Sequence, residues 1–143
     1  MALTREFIHE FIARHRYGVV SSLGSDGTPQ SALVGIAVSP ELEIFFDTLD
    51  STRKIANLRA NPRVSFVIGW ENEQTLQLEG TADEPAGAAL AALKAIYFKA
   101  WPDGPEREKW KGITYCRVRP SWLRFSSYVE PVLIEEMRLV PST

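Results

Sequence analysis

Hydroxyl and basic side chains are grouped in residues 48–54 (TLDSTRK), between a predicted strand and a predicted helix. The hydroxyls of Ser51 and Thr52 would stand at the helix entrance, where backbone N–H groups lack intrahelical partners and bind anions readily. Because the helix macrodipole is positive there, the cations Arg53 and Lys54 are unfavourable unless a negative ligand binds beside them. Arginine holds a phosphate through two parallel hydrogen bonds, and lysine adds a mobile charge. The segment therefore predicts a phosphate site.

The same segment also has a simpler interpretation. Basic residues on an exposed helix are usually solvated surface, and Ser51 would then serve only as an N-cap. The local charge favours the anion site, because residues 51–70 contain four basic residues and no acidic one. Both interpretations stay open on these residues alone.

The sequence gives little indication of other catalytic, nucleotide-binding or metal sites. The sequence has no GxSxG, GxxxxGK[ST], GxGxxG or HExxH motif. The two histidines, His9 and His15, are six residues apart on a predicted helix and point in different directions, which argues against a shared metal ion. The single cysteine, Cys116, excludes an internal disulfide and a multi-cysteine metal site, and is predicted to be a buried, unreactive thiol.

Hydrophobic periodicity predicts the elements that position these residues in one domain, 1–143. Three segments have helical spacing: one capped by Thr4, one over residues 51–61 that Asn61-Pro62 ends, and an alanine-rich one from Pro85 to Phe98. Short β-rich runs predict the strands YGVVSSL, QSALVGIAV, LEIFFDT, RVSFVIG, TLQLEGTAD, ITYCRV, WLRFSS and VLIEEMRL. The first three are expected to form a meander. The whole is a mainly β fold with α (α+β): an antiparallel barrel of six to eight strands with two or three helices.

Composition limits the classes of partner. The net charge of −2 does not suit a protein that coats nucleic acid or an anionic membrane. The start lacks the pattern of a secretory signal, and no run approaches eighteen apolar residues. A cytoplasmic protein without a membrane or nucleic-acid partner is therefore expected.

The order of these motifs resembles a known family. The run FFDTLDSTRKIANLRANPRVSF, preceded by GTPQSALVGIAV and followed by LQLEGTAD, resembles the FMN-binding split-barrel family related to pyridoxamine 5′-phosphate oxidase over residues 7–125. The most specific part is a threonine five residues before an Arg-Lys pair at a helix start, followed by Asn-Pro and a strand. The resemblance implies an antiparallel split β-barrel that binds FMN at a homodimer interface. It also implies hydride transfer between the flavin and a small-molecule substrate, with a nicotinamide as a candidate donor.

The resemblance further implies roles for individual positions. Leu33 and Val34 would run alongside the isoalloxazine ring, and Thr75 and Gln77 would reach the flavin of the partner subunit. The strand end Phe46, Asp47 and Thr48 would touch the ring and ribityl chain, while Thr52, Arg53 and Lys54 would hold the phosphate. No residue is assigned a catalytic acid–base role, because the flavin itself carries the redox chemistry.

Three positions depart from the pattern of the oxidase. Ala32 stands where that enzyme has an arginine on the phosphate, Thr75 where it has a glutamine, and Ser126 where it has a tryptophan. The run that holds the vitamin substrate is also missing, which indicates a flavin-binding relative and not an oxidase of pyridoxamine phosphate. The alternatives are the same barrel binding a deazaflavin or haem, a cofactor-free dimer, or a barrel that binds single-stranded nucleic acid through RVRPSWLRF.

Overall fold

The computed structural model describes residues 3–139. Its helices are α1 (Arg5–His15), α2 (Arg53–Ala60), α3 (Gly87–Ala100) and the short α4 (Gly104–Arg107). Its strands are β1 (Tyr17–Leu23), β2 (Pro29–Gly35), β3 (Ala37–Val38), β4 (Ile44–Leu49), β5 (Arg63–Ile68), β6 (Gln74–Asp83), β7 (Ile113–Ser127) and β8 (Leu133–Arg138).

All eight strands of this part of the chain belong to one antiparallel sheet in the order β2-β1-β5-β6-β7-β4-β3, with β8 also paired to β7. The sheet curls so that β2, at one end, approaches β4 near the other end. No β-ladder joins these two strands among the described residues, and we call the space between them the gap. The predicted α+β class and split-barrel architecture are confirmed.

The predicted meander of the first three strands is wrong. The run QSALVGIAV breaks after Gly35, because the Ile36 N–H donates to the Arg16 carbonyl (2.8 Å) and not to a neighbouring strand. The chain restarts as β3, and β4 pairs with β7 and not with β2. The runs ITYCRV and WLRFSS form the single strand β7, whose pairing with β6 shifts between Glu79 and Gly80. Pro120 lies at this irregularity, where proline's missing N–H is tolerated.

The barrel core is closed by α1. The Thr4 hydroxyl accepts from the Phe7 N–H at 3.1 Å, as predicted, and α1 buries Ile8, Phe11 and Ile12. The alanine-rich helix begins at Gly87, later than predicted, and packs on the other face of β4. Both faces of β4 are therefore covered, which fixes the strand that leads into α2. No helix within residues 3–139 is long and apolar enough to cross a membrane.

Candidate functional site

The residues at the start of α2 form a connected polar group. The Lys54 ammonium donates to the Thr48 hydroxyl at 3.2 Å, and that hydroxyl donates to the Thr52 hydroxyl at 3.4 Å. The Thr52 hydroxyl in turn donates to the Leu49 carbonyl at 2.8 Å, so it does not cap the helix. The first-turn N–H groups of α2 thus receive no side-chain cap. We call Thr48, Thr52, Arg53 and Lys54 the cradle.

The cradle carries positive charge that no carboxylate balances. Within residues 3–139, neither Arg53 nor Lys54 lies within ion-pair distance of an acidic side chain. Lys54 is half-buried, and this burial lowers the pKa of its ammonium group below the ordinary 10.5. An uncompensated, partly desolvated cation beside a helix start is unfavourable in isolation. The arrangement is chemically suited to an anion with several acceptor oxygens.

A cavity of about 110 Å³ adjoins the cradle and extends toward β2. It is lined by Val20, Ser22, Gln30, Ser31, Ala32, Arg53 and Lys54. Asn57 of α2 connects two of these lining residues, because its amide donates to the Ser22 hydroxyl at 3.0 Å and to the Gln30 side-chain oxygen at 2.8 Å. Sequence reasoning missed Asn57 and Gln30. The available signal was a polar Asn57 next to Leu58 on the inward stripe of α2, where an apolar residue is typical.

The other predicted contacts on β2 and β4 lie outside the cradle. The Phe46 side chain is fully buried in the barrel core and packs edge-on against Phe66, with ring centroids 6.1 Å apart. Asp47 points to the opposite side of β4, where it meets α3 and α4. Val34 is buried in the core, whereas Leu33 is 62% exposed on the outer face of the sheet. Ser51 is exposed just before the N-cap, which is Thr52.

Thr75 and Gln77 both lie on β6, with Gln77 exposed on the outer face of the sheet. The Thr75 hydroxyl donates to the Gly69 carbonyl at 3.0 Å. Gln77 stands in register with Val67 of β5. The structure thus brings Thr48, Thr52, Arg53 and Lys54 together, and places Leu33 and Gln77 on a surface away from them.

The isolated histidines and the cysteine fill ordinary structural places. His15 hydrogen-bonds the Phe11 carbonyl through Nδ1 (2.7 Å), and its ring packs on the Phe11 ring with centroids 4.1 Å apart. Cys116 is buried as predicted, and burial raises the pKa of its thiol to about 12. In the described part of the chain, no three His, Cys, Asp or Glu side chains are grouped as a metal site would need.

The segment RVRPSWLRF carries its charges in ion pairs. Arg117 pairs with Asp83 at 2.6 Å, and Arg119 pairs with Glu43 at 3.1 Å. Glu136 accepts from the Trp122 indole N–H at 2.6 Å, and Arg124 approaches the same carboxylate at 3.2 Å. A platform for nucleic-acid phosphates needs basic groups with no such carboxylate partners.

Comparison with known proteins agrees with this architecture. The profile of the pyridoxamine 5′-phosphate oxidase family matches residues 4–126, whereas no curated protein sequence matches the chain. The heme binding protein from Mycobacterium smegmatis is similar with a TM-score of 0.81 and 19% identity, covering 96% of this chain and 59% of its own. HutZ, the heme storage protein from Vibrio cholerae, has a TM-score of 0.72 and 18% identity, covering 84% and 91%. General Stress Protein 26 from Bacillus anthracis has a TM-score of 0.72 and 22% identity, covering 94% and 98%.

Proposed function

Since the chain belongs to the pyridoxamine 5′-phosphate oxidase family, we propose that it binds FMN with the flavin phosphate in the cradle. The observation that carries this proposal is the Lys54 ammonium, which is half-buried against the Thr48 hydroxyl without a carboxylate partner in residues 3–139. A phosphate dianion would supply the missing charge. It would also offer acceptor oxygens to the Arg53 guanidinium and to the N–H groups of α2.

We further propose that the protein is an oxidoreductase acting on a small molecule. When bound, FMN supplies hydride transfer at its isoalloxazine ring. The chain's own residues bind and orient: Arg53 and Lys54 fix the phosphate end, and the cavity beside Ala32 leaves room next to it. A nicotinamide is a candidate hydride donor, and this is tested by mixing the flavin-loaded protein with NADH or NADPH without oxygen and following flavin bleaching.

Haem is the second candidate because two similar structures carry heme binding or heme storage in their names. Haem iron needs an axial ligand, most often histidine. This chain has two histidines, both on α1, which leads into the start of β1, whereas the cradle cavity adjoins Ser22 near the end of β1. The cradle residues therefore favour a phosphate-bearing flavin over haem.

We also propose a homodimer formed through the outer face of the sheet. Leu33 is 62% exposed and Val67 is 40% exposed, and half-buried Val19 lies between them in the strand register. Gln77 continues the same row, next to Val67. A second copy covering this face would remove its apolar area from water and bring Gln77 to the partner.

The proposal is tested by titrating ligand-free protein with FMN, riboflavin, a deazaflavin phosphate and hemin, following flavin fluorescence and visible absorption. We expect FMN to bind more tightly than riboflavin, because riboflavin lacks the phosphate. Arg53→Ala with Lys54→Ala should abolish this preference, while Lys99→Ala with Lys111→Ala, which removes two exposed lysines, should keep it. Equal affinity for FMN and riboflavin, or tight binding of hemin alone, would overturn the proposal.

A further inference from the structure

A buried charge pair lies behind the cradle on the opposite face of β4. Asp47 precedes Thr48, so the two side chains point to opposite sides of the strand. The Asp47 carboxylate, whose side chain is 10% exposed, accepts from Arg107 Nε of α4 at 2.7 Å. Burial alone would lower the pKa of Arg107, but the hydrogen bond and charge of Asp47 outweigh burial and raise it above its ordinary value. The pair is therefore an ionised link between β4 and α4.

Tyr97 of α3 connects this pair to β2. Its hydroxyl lies 3.1 Å from Asp47 Oδ1 and 3.1 Å from the carbonyl oxygen of Gly35, the last residue of β2. Burial raises the pKa of Tyr97, so the hydroxyl keeps its one proton and shares it between these two acceptors. Since no ladder joins β2 and β4 in the described residues, this hydroxyl is a direct link across the gap.

The two linked strands are also the strands that border the cradle. Thr48 on β4 accepts the hydrogen bond of the Lys54 ammonium, and Ala32 on β2 lines the cavity beside Lys54. A shift of the end of β4 relative to β2 would therefore move Thr48, and with it the ammonium group, relative to the opposite wall of the cavity.

We propose that Asp47, Arg107 and Tyr97 are positioning residues for phosphate binding. They hold the end of β4 at a fixed distance from β2, so that Thr48 keeps the Lys54 ammonium where a ligand phosphate binds. This inference rests on the proposed function, because it assigns the three residues a part in binding the FMN phosphate.

The experiment compares the ratio of the riboflavin Kd to the FMN Kd in wild-type protein and in Arg107→Met. The ratio measures the contribution of the phosphate to binding, because a general destabilisation of the fold would change both Kd values by a similar factor. We expect Arg107→Met to reduce the ratio about tenfold, which is the affinity carried by one hydrogen bond to a charged group. Arg107→Lys should restore part of it by returning the cation.

Lys94→Met is the matched control. It removes the ion pair between Lys94 of α3 and Glu108 (2.9 Å) and leaves Asp47 untouched. The ratio should therefore be unchanged. Tyr97→Phe keeps the buried ring and removes only the bridging hydroxyl, so it decides the question if Arg107→Met does not fold. We expect it to lower the ratio as well.

The outcomes separate the two proposals. A wild-type preference for FMN that Tyr97→Phe and a folded Arg107→Met both retain would overturn the positioning role and leave the proposed function standing. Wild-type protein that binds riboflavin and FMN equally would overturn the proposed function itself. If Lys94→Met reduces the ratio as much as Arg107→Met does, the inference is also overturned, because an ion pair that does not involve Asp47 would then have the same effect.

Discussion

Replacing Lys54 by methionine distinguishes the effect of this cation on stability from its effect on FMN binding. In the protein without ligand, the Lys54 ammonium is half-buried, contacts the Thr48 hydroxyl at 3.2 Å, and has no acidic partner in the described part of the chain. Methionine has a similar length and no charge, so it removes a desolvated cation and keeps the packing. The variant should therefore bind FMN more weakly and yet be at least as stable to unfolding as the wild type.

The magnitudes follow from the contacts. A hydrogen bond to a charged group contributes about 1.5–3 kcal/mol, which corresponds to about a 10- to 150-fold change in Kd. Arg53 and the N–H groups of α2 remain in the variant, so we expect an increase of about 10- to 50-fold in the FMN Kd. Riboflavin should bind with an unchanged Kd. Removing the unpaired cation should raise the free energy of unfolding by up to about 1 kcal/mol.

The assay combines flavin fluorescence titration with urea denaturation of the ligand-free protein. Lys99→Met is the matched control, because Lys99 is an exposed lysine at the end of α3. A Lys54→Met variant that unfolds more easily by over about 1 kcal/mol and binds FMN as tightly as the wild type would refute the reasoning. Lys54 would then be a structural residue and not a phosphate ligand.

The remaining predictions concern pH, the thiol and the dimer. The preference for FMN over riboflavin should rise as pH passes about 6, where the phosphate becomes a dianion. As pH rises further, the preference should begin to decrease before pH 10.5 is reached, because burial lowers the pKa of Lys54. In the same alkaline window the folded state binds fewer protons than the unfolded state, so ligand-free wild type should gain stability relative to Lys54→Met as pH rises; a constant difference in urea midpoints would contradict this. Because burial raises the pKa of Cys116 to about 12, the thiol should react with a disulfide reagent at pH 8 at least about 100-fold more slowly in native than in urea-unfolded protein, and equal rates would exclude the buried position. Leu33→Asp with Val67→Asp should give monomers by light scattering, whereas Lys99→Asp should leave the mass unchanged; a wild-type monomer would exclude the dimer.

Local spacing was enough to predict most of the architecture. Thr4 as an N-cap, Asn61-Pro62 as the end of α2 and the alternation in β5 and β6 all depend on neighbours in the sequence. The break after Gly35 depends on distant groups: the Arg16 carbonyl takes the Ile36 N–H, and the Trp101 indole donates to the Ile36 carbonyl at 2.9 Å. The local signal for such a break in this β-rich run is the isolated Gly35, which also occurs within continuous strands, so the meander was predicted wrongly.

The candidate site likewise contains some residues that the sequence indicates and others that only the tertiary packing reveals. Thr52, Arg53 and Lys54 are contiguous and start a helix, so their types and order alone predict a shared anion site. Arg107 lies between the predicted alanine-rich helix and the predicted strand ITYCRV, and its buried pairing with Asp47 depends on how α4 packs against β4. A role set by tertiary packing has no spacing in the sequence that would indicate it.

The most direct test of the central claim is a crystal structure of the protein with FMN. The phosphate should lie within hydrogen-bond distance of the Lys54 ammonium and the Arg53 guanidinium, at the start of α2. A flavin bound elsewhere on the protein, with the Lys54 ammonium still contacting only the Thr48 hydroxyl, would contradict the account.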